Sequence, residues 1–268
     1  MVNLYMKLIS LNIEADRHFE VVMPFLAREN ADVVCLQEVM ETQVPMFERQ
    51  LQMTGKFSPL VNIDPTVPFE MGDPGGVGIL GNVVLVRREA EKESGGISAV
   101  RFDCQYYVGS ADQVPTFTRP EVMSRALVWA KFPLPNAAGT PIDYSVATTH
   151  FTWSPMGRFT SQQEQEFAAL MTILDQFESL ILCGDFNSPR KPGVDNVFSR
   201  LAKRYRDWIP PQATSTLDHQ LHKAGPLDLV VDGLFTTPDY VCQNVQIIDG
   251  VSDHRAIVAQ IEPSSSAI

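Results

Sequence analysis

Apolar and polar positions along the chain follow two periodicities, one typical of strands and one typical of helices. Alternating or continuous apolar runs predict strands over 7–13, 33–36, 82–87, 99–103, 124–132, 143–149, 180–184, 227–235, 241–248 and 255–261. Apolar positions three or four apart predict helices over 18–29, 42–53, 160–177 and 197–203. No linker-like stretch divides these elements. The pattern therefore favours one α/β domain over residues 1–268, built on two packed sheets.

Two segments interrupt this pattern of regular elements. Residues 62–81 are rich in glycine and proline, which predicts a flexible loop. Residues 263–268 contain three consecutive serines and predict a short C-terminal tail.

The composition is that of an ordinary globular protein and excludes several classes. Hydrophobic residues make up 44% and charged residues 20% of the 268 positions, which excludes a disordered chain and a coiled coil. The 21 Lys and Arg against 32 Asp and Glu give a net charge of −11, which argues against tracking along a nucleic-acid duplex. No apolar run approaches the roughly 18 residues of a membrane span, and residues 1–14 lack a secretory signal pattern. The four cysteines form no CxxC pair, and we expect a cytoplasmic monomer with reduced thiols and no stable membrane association.

Polar side chains lie at the ends of five predicted strands. These residues are Asn12 and Glu14, Glu38, His150, Asp185 and Asn187, and Asp253 with His254. Any one of them alone is better explained as a helix cap, a turn residue or a solvated group. Their repetition at five strand ends indicates one shared site. Asn12 and Glu14 are two positions apart and are expected on the same face of their strand.

The residue types at these strand ends restrict the chemistry. Carboxylates and an amide oxygen are hard ligands that suit Mg²⁺ or Mn²⁺. The sequence contains no HxxEH zinc pattern, no GxxxxGK[ST] loop, no GxSxG elbow and no GxGxxG after a strand. What remains is metal-assisted hydrolysis of a phosphate ester, in which a carboxylate activates water and a histidine handles the developing charge.

Five segments resemble, in order, the signature of the endonuclease/exonuclease/phosphatase superfamily. They are LNIE (11–14), LQEV (36–39), TTHFTW (148–153), CGDFN (183–187) and SDHRAIVAQI (252–261). The resemblance implies a DNase I-like four-layer α/β-sandwich, in which two packed mixed sheets are flanked by helices. It also implies Mg²⁺-dependent cleavage of phosphoesters, with Mn²⁺ as a candidate substitute.

The resemblance also implies roles for individual residues. Glu38 resembles the principal Mg²⁺ ligand, and three residues are expected to line the metal side: Asn12, Glu14 and Asp253. Asp185 resembles the group that orients or deprotonates the attacking water, and Asn187 resembles the amide that positions this water. His254 resembles the residue that stabilises the transition state or assists the leaving oxygen. His150 matches the branch with DNase I, sphingomyelinases and deadenylases, since the abasic-site branch has a tyrosine in this region.

Members of the superfamily usually carry an aspartate, on the strand before the SDH motif, that hydrogen-bonds the histidine. The predicted strand 227–235 offers Asp228 and Asp232, and only one of them can reach the imidazole of His254. The run 231–238 resembles the family pattern, whereas Asp228 follows a Gly-Pro pair at the strand entrance. We therefore predict Asp232 as the partner of His254.

The substrate is less well defined than the chemistry. Arg125 lies where many members of the superfamily carry an arginine, and a structural ion pair is an equally good explanation of it. Trp153 follows His150 and could stack on a base or pack its loop onto the core. The leading hypothesis is a phosphodiesterase or nuclease that acts on a small or single-stranded nucleic-acid substrate, such as a nucleotide. The alternatives are a phosphomonoesterase for inositol phosphates or similar small phosphates, and a catalytically silent interaction module.

Overall fold

The computed structural model describes residues 5–70, 73–88, 100–135 and 140–264. Within these residues, strands form two six-stranded sheets. The strands are β1 Met6–Asn12, β2 Val33–Met40, β3 Met53–Ile63, β4 Gly78–Arg87, β5 Arg101–Val108, β6 Arg125–Pro135, β7 Pro141–His150, β8 Ile181–Asp185, β9 Arg206–Asp207, β10 Asp232–Thr236, β11 Tyr240–Ile248 and β12 Ala256–Pro263. The α-helices are α1 Phe19–Glu29, α2 Val44–Gln50, α3 Ser161–Leu174 and α4 Val197–Leu201. No helix in the described ranges is long and apolar enough to span a membrane.

Each sheet is mixed and contains one parallel pair near its middle. The first sheet has the order β11-β12-β1-β2-β4-β3 and the second has the order β5-β6-β7-β8-β10-β9. Strands β1 and β2 are parallel, as are β7 and β8, whereas the other neighbours are antiparallel. Because the carboxyl ends of parallel strands lie at the same edge of a sheet, residues that end these four strands meet at one edge.

Apolar side chains hold four layers together. The largest apolar cluster joins residues of both sheets, such as Val33 and Val128, and continues to helix α3 through Leu170. A second cluster packs helices α1 and α2 on the first sheet through Leu26 and Phe47. The α/β-sandwich predicted from the sequence is therefore confirmed.

Helix α2 and strand β3 differ from the prediction. A helix was expected over 42–53, but α2 ends at Gln50 and β3 begins at Met53. The strand carries Gly55 and Pro59, which argue against a strand in the interior of a sheet. Strand β3 lies at the edge of its sheet, where a missing ladder donor is tolerated.

Three further predicted segments differ from the structure in their bounds. The loop expected over 62–81 is shorter, because β3 continues to Ile63 and β4 begins at Gly78. The strand expected over 227–235 is regular only from Asp232, because residues 227–231 hydrogen-bond to residues outside the strands, such as Ser215 and Thr216, instead of to a neighbouring strand. The predicted C-terminal tail overlaps β12 at Pro263, and its residues 265–268 lie outside the described residues. Residue 99 of the predicted strand 99–103 lies outside the described residues.

Strand β7 passes so close to Gly184 of strand β8 that no side chain fits at this position. Its φ of +139° is rare for residues with a side chain, and an added Cβ would lie 2.0 Å from the backbone oxygen of Thr149. Neither strand can move away without separating His150 from Asp185, since these two residues are register partners. The glycine therefore fixes the geometry of the sheet edge.

We expect Gly184→Ala to destabilise the fold by about 3 kcal/mol or more, because the collision is with backbone in a packed sheet. Chemical denaturation measures this difference. Gly193→Ala is the matched control, because Gly193 also has a positive φ of +74° but the described part of the chain places no atom within 4 Å of the added Cβ. We expect about 1 kcal/mol for the control. Equal losses in the two variants would contradict the steric explanation.

Candidate active site

Seven of the predicted site residues meet at the edge formed by the two parallel strand pairs. Three of them end strands β1, β7 and β8: Asn12, His150 and Asp185. Asp232 begins β10 as the register partner of Asp185, which places the two carboxylates side by side. The remaining three, Glu38, Asp253 and His254, line a cavity at this edge together with His150 and Asp185.

Glu38 reaches the site because strand β2 is bulged. The register of β2 against β4 shifts between Leu36 and Val39, and Glu38 has a φ of +55°. The carbonyl of Glu38 accepts a hydrogen bond from the backbone N–H of Ala15 at 2.9 Å, which holds the bulge against the end of β1. A bulge re-aims one side chain at a strand end, and such positions are common beside active sites.

Asn12 joins the carboxylates of the two sheets. Its Nδ2 donates to Glu38 Oε1 at 3.1 Å and to Asp185 Oδ2 at 3.2 Å. Burial, together with the charges of Asp253 and Asp185, raises the pKa of Glu38 to about 7. Burial and the charge of Asp232 raise the pKa of Asp185 to about 6, although His254 and the hydrogen bonds to Asp185 oppose this shift. Carboxylates with such pKa values can take up a proton near neutral pH.

His254 is paired with Asp232 as predicted. Its Nδ1 lies 2.9 Å from Asp232 Oδ2, and its Nε2 lies 3.8 Å from Asp185 Oδ2. Burial alone would lower the pKa of His254, but the charges of Asp232 and Asp185 outweigh burial and hold that pKa well above its ordinary value. Asp228 is not on the strand, and its exposed side chain lies 3.3 Å from His219 instead. His254 is therefore the cationic histidine of the site.

Asp232 is itself held by Thr216 in the connection before β10. The Thr216 Oγ1 accepts hydrogen bonds from the backbone N–H groups of Val231 and Asp232, each at 3.0 Å. The carbonyl of Thr216 accepts a hydrogen bond from the backbone N–H of Arg255 at 2.7 Å. One buried threonine thus connects the strand of Asp232 to the segment that carries His254.

His150 differs from His254 in its charge state. Burial, with the nearby charges of Arg125 and His254, holds the pKa of His150 well below its ordinary value. Its Nε2 lies 3.5 Å from Asp185 Oδ2 and 3.7 Å from Glu38 Oε1, and its buried Nδ1 has no hydrogen-bond partner among the described residues. The site therefore combines one neutral and one cationic histidine.

Asn187 and Arg125 support the site from its two sides. The backbone N–H of Asn187 donates to Asp185 Oδ1 at 2.8 Å, and its Nδ2 donates to the carbonyl of Phe151 at 2.9 Å. Arg125 lines the cavity but is fully buried, and its guanidinium donates to the carbonyls of His150 and Pro120 at 3.1 and 2.7 Å. These contacts fix the backbone that carries His150, and the expected role of Arg125 toward substrate stays a prediction.

Glu14 does not lie on the strand of Asn12, contrary to the expected same-face arrangement. Strand β1 ends at Asn12, and Glu14 has a φ of +50° beyond it. The Glu14 carboxylate lies 2.6 Å from Lys223 Nζ, 3.0 Å from His18 Nε2 and 3.3 Å from Arg17 Nε. Three basic groups thus surround this carboxylate, and its expected role as a metal ligand stays a prediction.

The cavity has a volume of about 370 Å³, and part of its lining was not predicted from the sequence. Trp153 is partly buried and lines this cavity, and its stacking role stays a prediction. Lys223 and Leu229 also line the cavity. Both belong to the long connection between β9 and β10. In this connection the only signal in the sequence is the apolar alternation that predicts a strand over 227–235.

The donor set fits a hard divalent cation. Four carboxylates surround the edge (Glu38, Asp185, Asp232 and Asp253), whereas the only protonated histidine among these neighbours is His254. Burial and the charges of Asp253 and Asp185 raise the pKa of Glu38, and a bound cation would favour its ionised form. The oxygen atoms of Glu38 and Asp253 are of the kind that Mg²⁺ and Mn²⁺ prefer.

The sequence matches the endonuclease/exonuclease/phosphatase family over residues 9–254. The chain therefore belongs to this family, whose members are hydrolytic phosphoesterases. No curated protein matches the sequence. The matched range contains the predicted site residues from Asn12 to His254, which places the whole sheet edge inside the family domain.

Solved structures share the fold at low sequence identity. An endonuclease/exonuclease/phosphatase from Bacteroides vulgatus is 18% identical with a TM-score of 0.65, and the match covers 97% of this chain and 99% of that one. The human nocturnin catalytic domain, with a bound sulfate anion, is 14% identical with a TM-score of 0.61 over 98% and 95% of the two chains. A mannosyl-6-phosphatase from Bacteroides thetaiotaomicron is 13% identical with a TM-score of 0.61 over 96% and 99%. At these identities the likeness shows the fold alone.

The pairing of Asp232 with His254 has a measurable consequence. We expect Asp232→Asn to lower the pKa of His254, because the charge that favours the imidazolium is removed, and to lower phosphoesterase activity about 10- to 100-fold. Histidine titration by NMR measures the pKa. Asp228→Asn is the control, because this exposed carboxylate contacts His219 and not His254. If the control variant moves the pKa of His254 and Asp232→Asn does not, the assignment is reversed.

The raised pKa of Glu38 predicts how stability depends on pH without metal. Its ordinary pKa is 4.5 and its pKa in the fold is about 7, so the stabilising contribution is complete below pH 4.5 and is lost as pH rises through 7. In EDTA at pH 8, Glu38→Gln should therefore be more stable than the wild type by about 2–3 kcal/mol, with little difference near pH 4.5.

Denaturant unfolding in EDTA at pH 4.5, 6.5 and 8 measures this difference. Mg²⁺ at pH 8 should stabilise the wild type and leave Glu38→Gln nearly unchanged. The matched control is Glu41→Gln, because Glu41 is exposed and close in sequence. A Glu38→Gln variant that is less stable than the wild type at pH 8 would contradict the electrostatic account.

Proposed function

We propose that the protein is a metal-dependent phosphodiesterase that acts on a small or single-stranded nucleic-acid substrate. The observation that carries this proposal is the convergence on Asp185 Oδ2, which lies 3.2 Å from Asn12 Nδ2, 3.5 Å from His150 Nε2 and 3.8 Å from His254 Nε2. A carboxylate surrounded by an amide, a neutral histidine and a cationic histidine suits activation of water beside a phosphate.

Glu38 and Asp253 would hold the metal ion, which would neutralise charge on the substrate phosphate and on the transition state. Asn12 keeps the Glu38 carboxylate in place through its amide donor, which an anionic side chain could not do. The neutral charge state of His150 suits its place between Glu38 and Asp185, since its ring can donate or accept there without adding a fixed charge.

The chemistry at phosphorus is assigned to Asp185 and His254. Asp185, whose pKa is about 6, accepts the proton of the attacking water, and the backbone N–H of Asn187 fixes its carboxylate at 2.8 Å. His254 is protonated and pairs through Nδ1 with Asp232, so its Nε2–H is free to donate toward the phosphoryl or leaving oxygen. Water forms the new P–O bond, the ester P–O bond breaks, and the leaving alcohol takes up a proton.

The surface charge supports a small or single-stranded substrate over a long duplex. The net charge is −11, so affinity depends on the local site and not on extended phosphate neutralisation. Phosphomonoester hydrolysis is the second candidate, because a mannosyl-6-phosphatase shares the fold. A panel with bis-p-nitrophenyl phosphate, p-nitrophenyl phosphate, single-stranded DNA, RNA and inositol phosphates distinguishes these functions. Higher kcat/KM on diesters than on monoesters is the expected result.

We expect Asp185→Asn and His254→Ala each to lower kcat about 1,000-fold, with a smaller effect on KM, because both groups act mainly in the transition state. Steady-state kinetics on the best diester of the panel measures this. His219→Ala is the control, because His219 lies in a surface pair with Asp228. Near wild-type kcat in either site variant shows that its assigned role is wrong.

The metal requirement is tested on the same substrate. EDTA should abolish activity, and Mg²⁺ or Mn²⁺ should restore it more effectively than Ca²⁺, whose looser coordination positions phosphate and water less well. Glu38→Gln should weaken activity strongly, with partial recovery at high Mg²⁺. Full activity in EDTA would rule out a metal-dependent reaction.

A further inference from the structure

One wall of the active-site cavity is apolar and has no part in the chemistry assigned above. It is formed by Leu217, Leu227, Leu229 and Val231, which all line the same cavity as the catalytic carboxylates. We call these four residues the leucine wall. Its members all come from the connection between β9 and β10, so one segment of chain supplies the whole surface.

The segment 227–231 presents its side chains in alternation. Leu227, Leu229 and Val231 line the cavity, whereas Val230 is buried in the core and the side chain of Asp228 is 75% exposed. Alternation of this kind is the property of an extended chain, in which successive side chains point to opposite sides. Alternate residues of this segment therefore belong to the cavity, although the segment is not part of a sheet.

Hydrogen bonds hold the leucine wall in place. The Ser215 Oγ donates to the carbonyl of Leu227 at 2.7 Å, and the backbone N–H of Thr216 donates to the carbonyl of Leu229 at 2.9 Å. Both donor residues are buried. The wall is thus preformed, so a ligand would not have to order it on binding.

Other apolar side chains line the cavity with the leucine wall. Phe117 and Met123 are buried and line it, and Trp153 is partly buried there. Leu227 and Leu229 are only partly buried, so apolar surface lies in contact with solvent beside charged groups. An apolar cavity with a few convergent polar groups is the usual form of a small-molecule site.

We propose that the leucine wall binds a planar aromatic group of the substrate, either the ring of an aryl phosphate ester or a nucleobase whose sugar carries the scissile phosphate. This inference rests on the proposed phosphoesterase function and narrows its substrate class. The four side chains offer no hydrogen-bond partner, so the hydroxyl groups of a sugar or an inositol would lose their hydration there without replacement. A volume of about 370 Å³ suits one or two rings, and Trp153 adds an aromatic face.

Calorimetric binding in the presence of Mg²⁺ tests the wall without requiring turnover. The ligands are phenylphosphonate, ethylphosphonate, thymidine 5′-monophosphate and myo-inositol 1-phosphate. We expect phenylphosphonate to bind at least about tenfold more tightly than ethylphosphonate, since only the ring covers the wall. Leu227→Ser and Leu229→Ser should each reduce this preference to about threefold or less.

Leu221→Ser is the matched control, because Leu221 belongs to the same connection but is 37% exposed and not among the cavity-lining residues. It should keep the full preference for the aromatic ligand. Circular dichroism melting verifies that the variants fold, and Leu229→Ala replaces Leu229→Ser if the latter unfolds. Weaker binding of thymidine 5′-monophosphate in the wall variants identifies a nucleobase as the occupant. An effect on phenylphosphonate alone identifies an aryl ester.

Equal affinities of phenylphosphonate and ethylphosphonate, or no binding of either, overturn the inference. So does tighter binding of myo-inositol 1-phosphate than of both aromatic ligands. The proposed function is judged separately by the activity panel. Binding of the aromatic ligands without turnover of any ester would reject the function and keep the wall, whereas turnover without the preference would reject the wall alone.

Discussion

The amide of Asn12 is the contact on which the geometry of the site depends. Carboxylates brought together at a sheet edge repel one another, and the repulsion would open the edge if no donor stood between them. The Asn12 Nδ2 lies within 3.2 Å of an oxygen on each sheet, one from Glu38 and one from Asp185. A neutral side chain at this position reduces the repulsion without adding a positive charge that would compete with a metal ion.

Burial and neighbouring charges give the two histidines of the site, His150 and His254, opposite charge states. Both are buried, and burial alone lowers the pKa of each. His254 has Asp232 against its Nδ1, which reverses the shift, whereas His150 has Arg125 nearby, which reinforces it. The same residue type therefore serves once as a cation and once as a neutral group within a few ångströms of Asp185.

Sequence patterns predicted the sheet edge because polar residues follow apolar runs, and apolar runs must be buried. This argument located Asp185 and His254, and the family resemblance distinguished Asp232 from Asp228. It could not show that β2 is bulged at Glu38 or that Glu14 lies beyond the end of β1, because both follow from backbone conformations with positive φ. The hydrophobic periodicity of a sequence carries no information about such local changes in backbone conformation.

Edge and loop positions explain most of the remaining differences. Strand β3 could not be predicted from residue propensities because it contains Pro59. Proline is excluded from the interior strands of a sheet but tolerated in an edge strand such as β3. The wall residues Leu227 and Leu229 have the alternation of a strand, and only the tertiary structure shows that the cavity takes the place of a neighbouring layer. The ligand-facing side of an extended segment has the same pattern as a core-facing side.

The hydrogen bonds of Thr216 fix the ends of the connection before β10 and leave its middle more tolerant of sequence change. Its hydroxyl and carbonyl tie Asp232 and Arg255 together, so the ends of the connection are fixed to the catalytic residues. Asp218 is a further anchor, because its backbone N–H donates to the carbonyl of Asp253 at 2.8 Å and its carboxylate accepts from the backbone N–H of Gly250 at 2.7 Å. Residues 219–226 lie beyond these anchor points and include Lys223 at the cavity. A loop anchored in this way can be lengthened, shortened or exchanged while the histidine and its aspartate stay in register. The loop sequence can therefore change between relatives while the Asp232–His254 pair is kept, and such changes give access to new substrates.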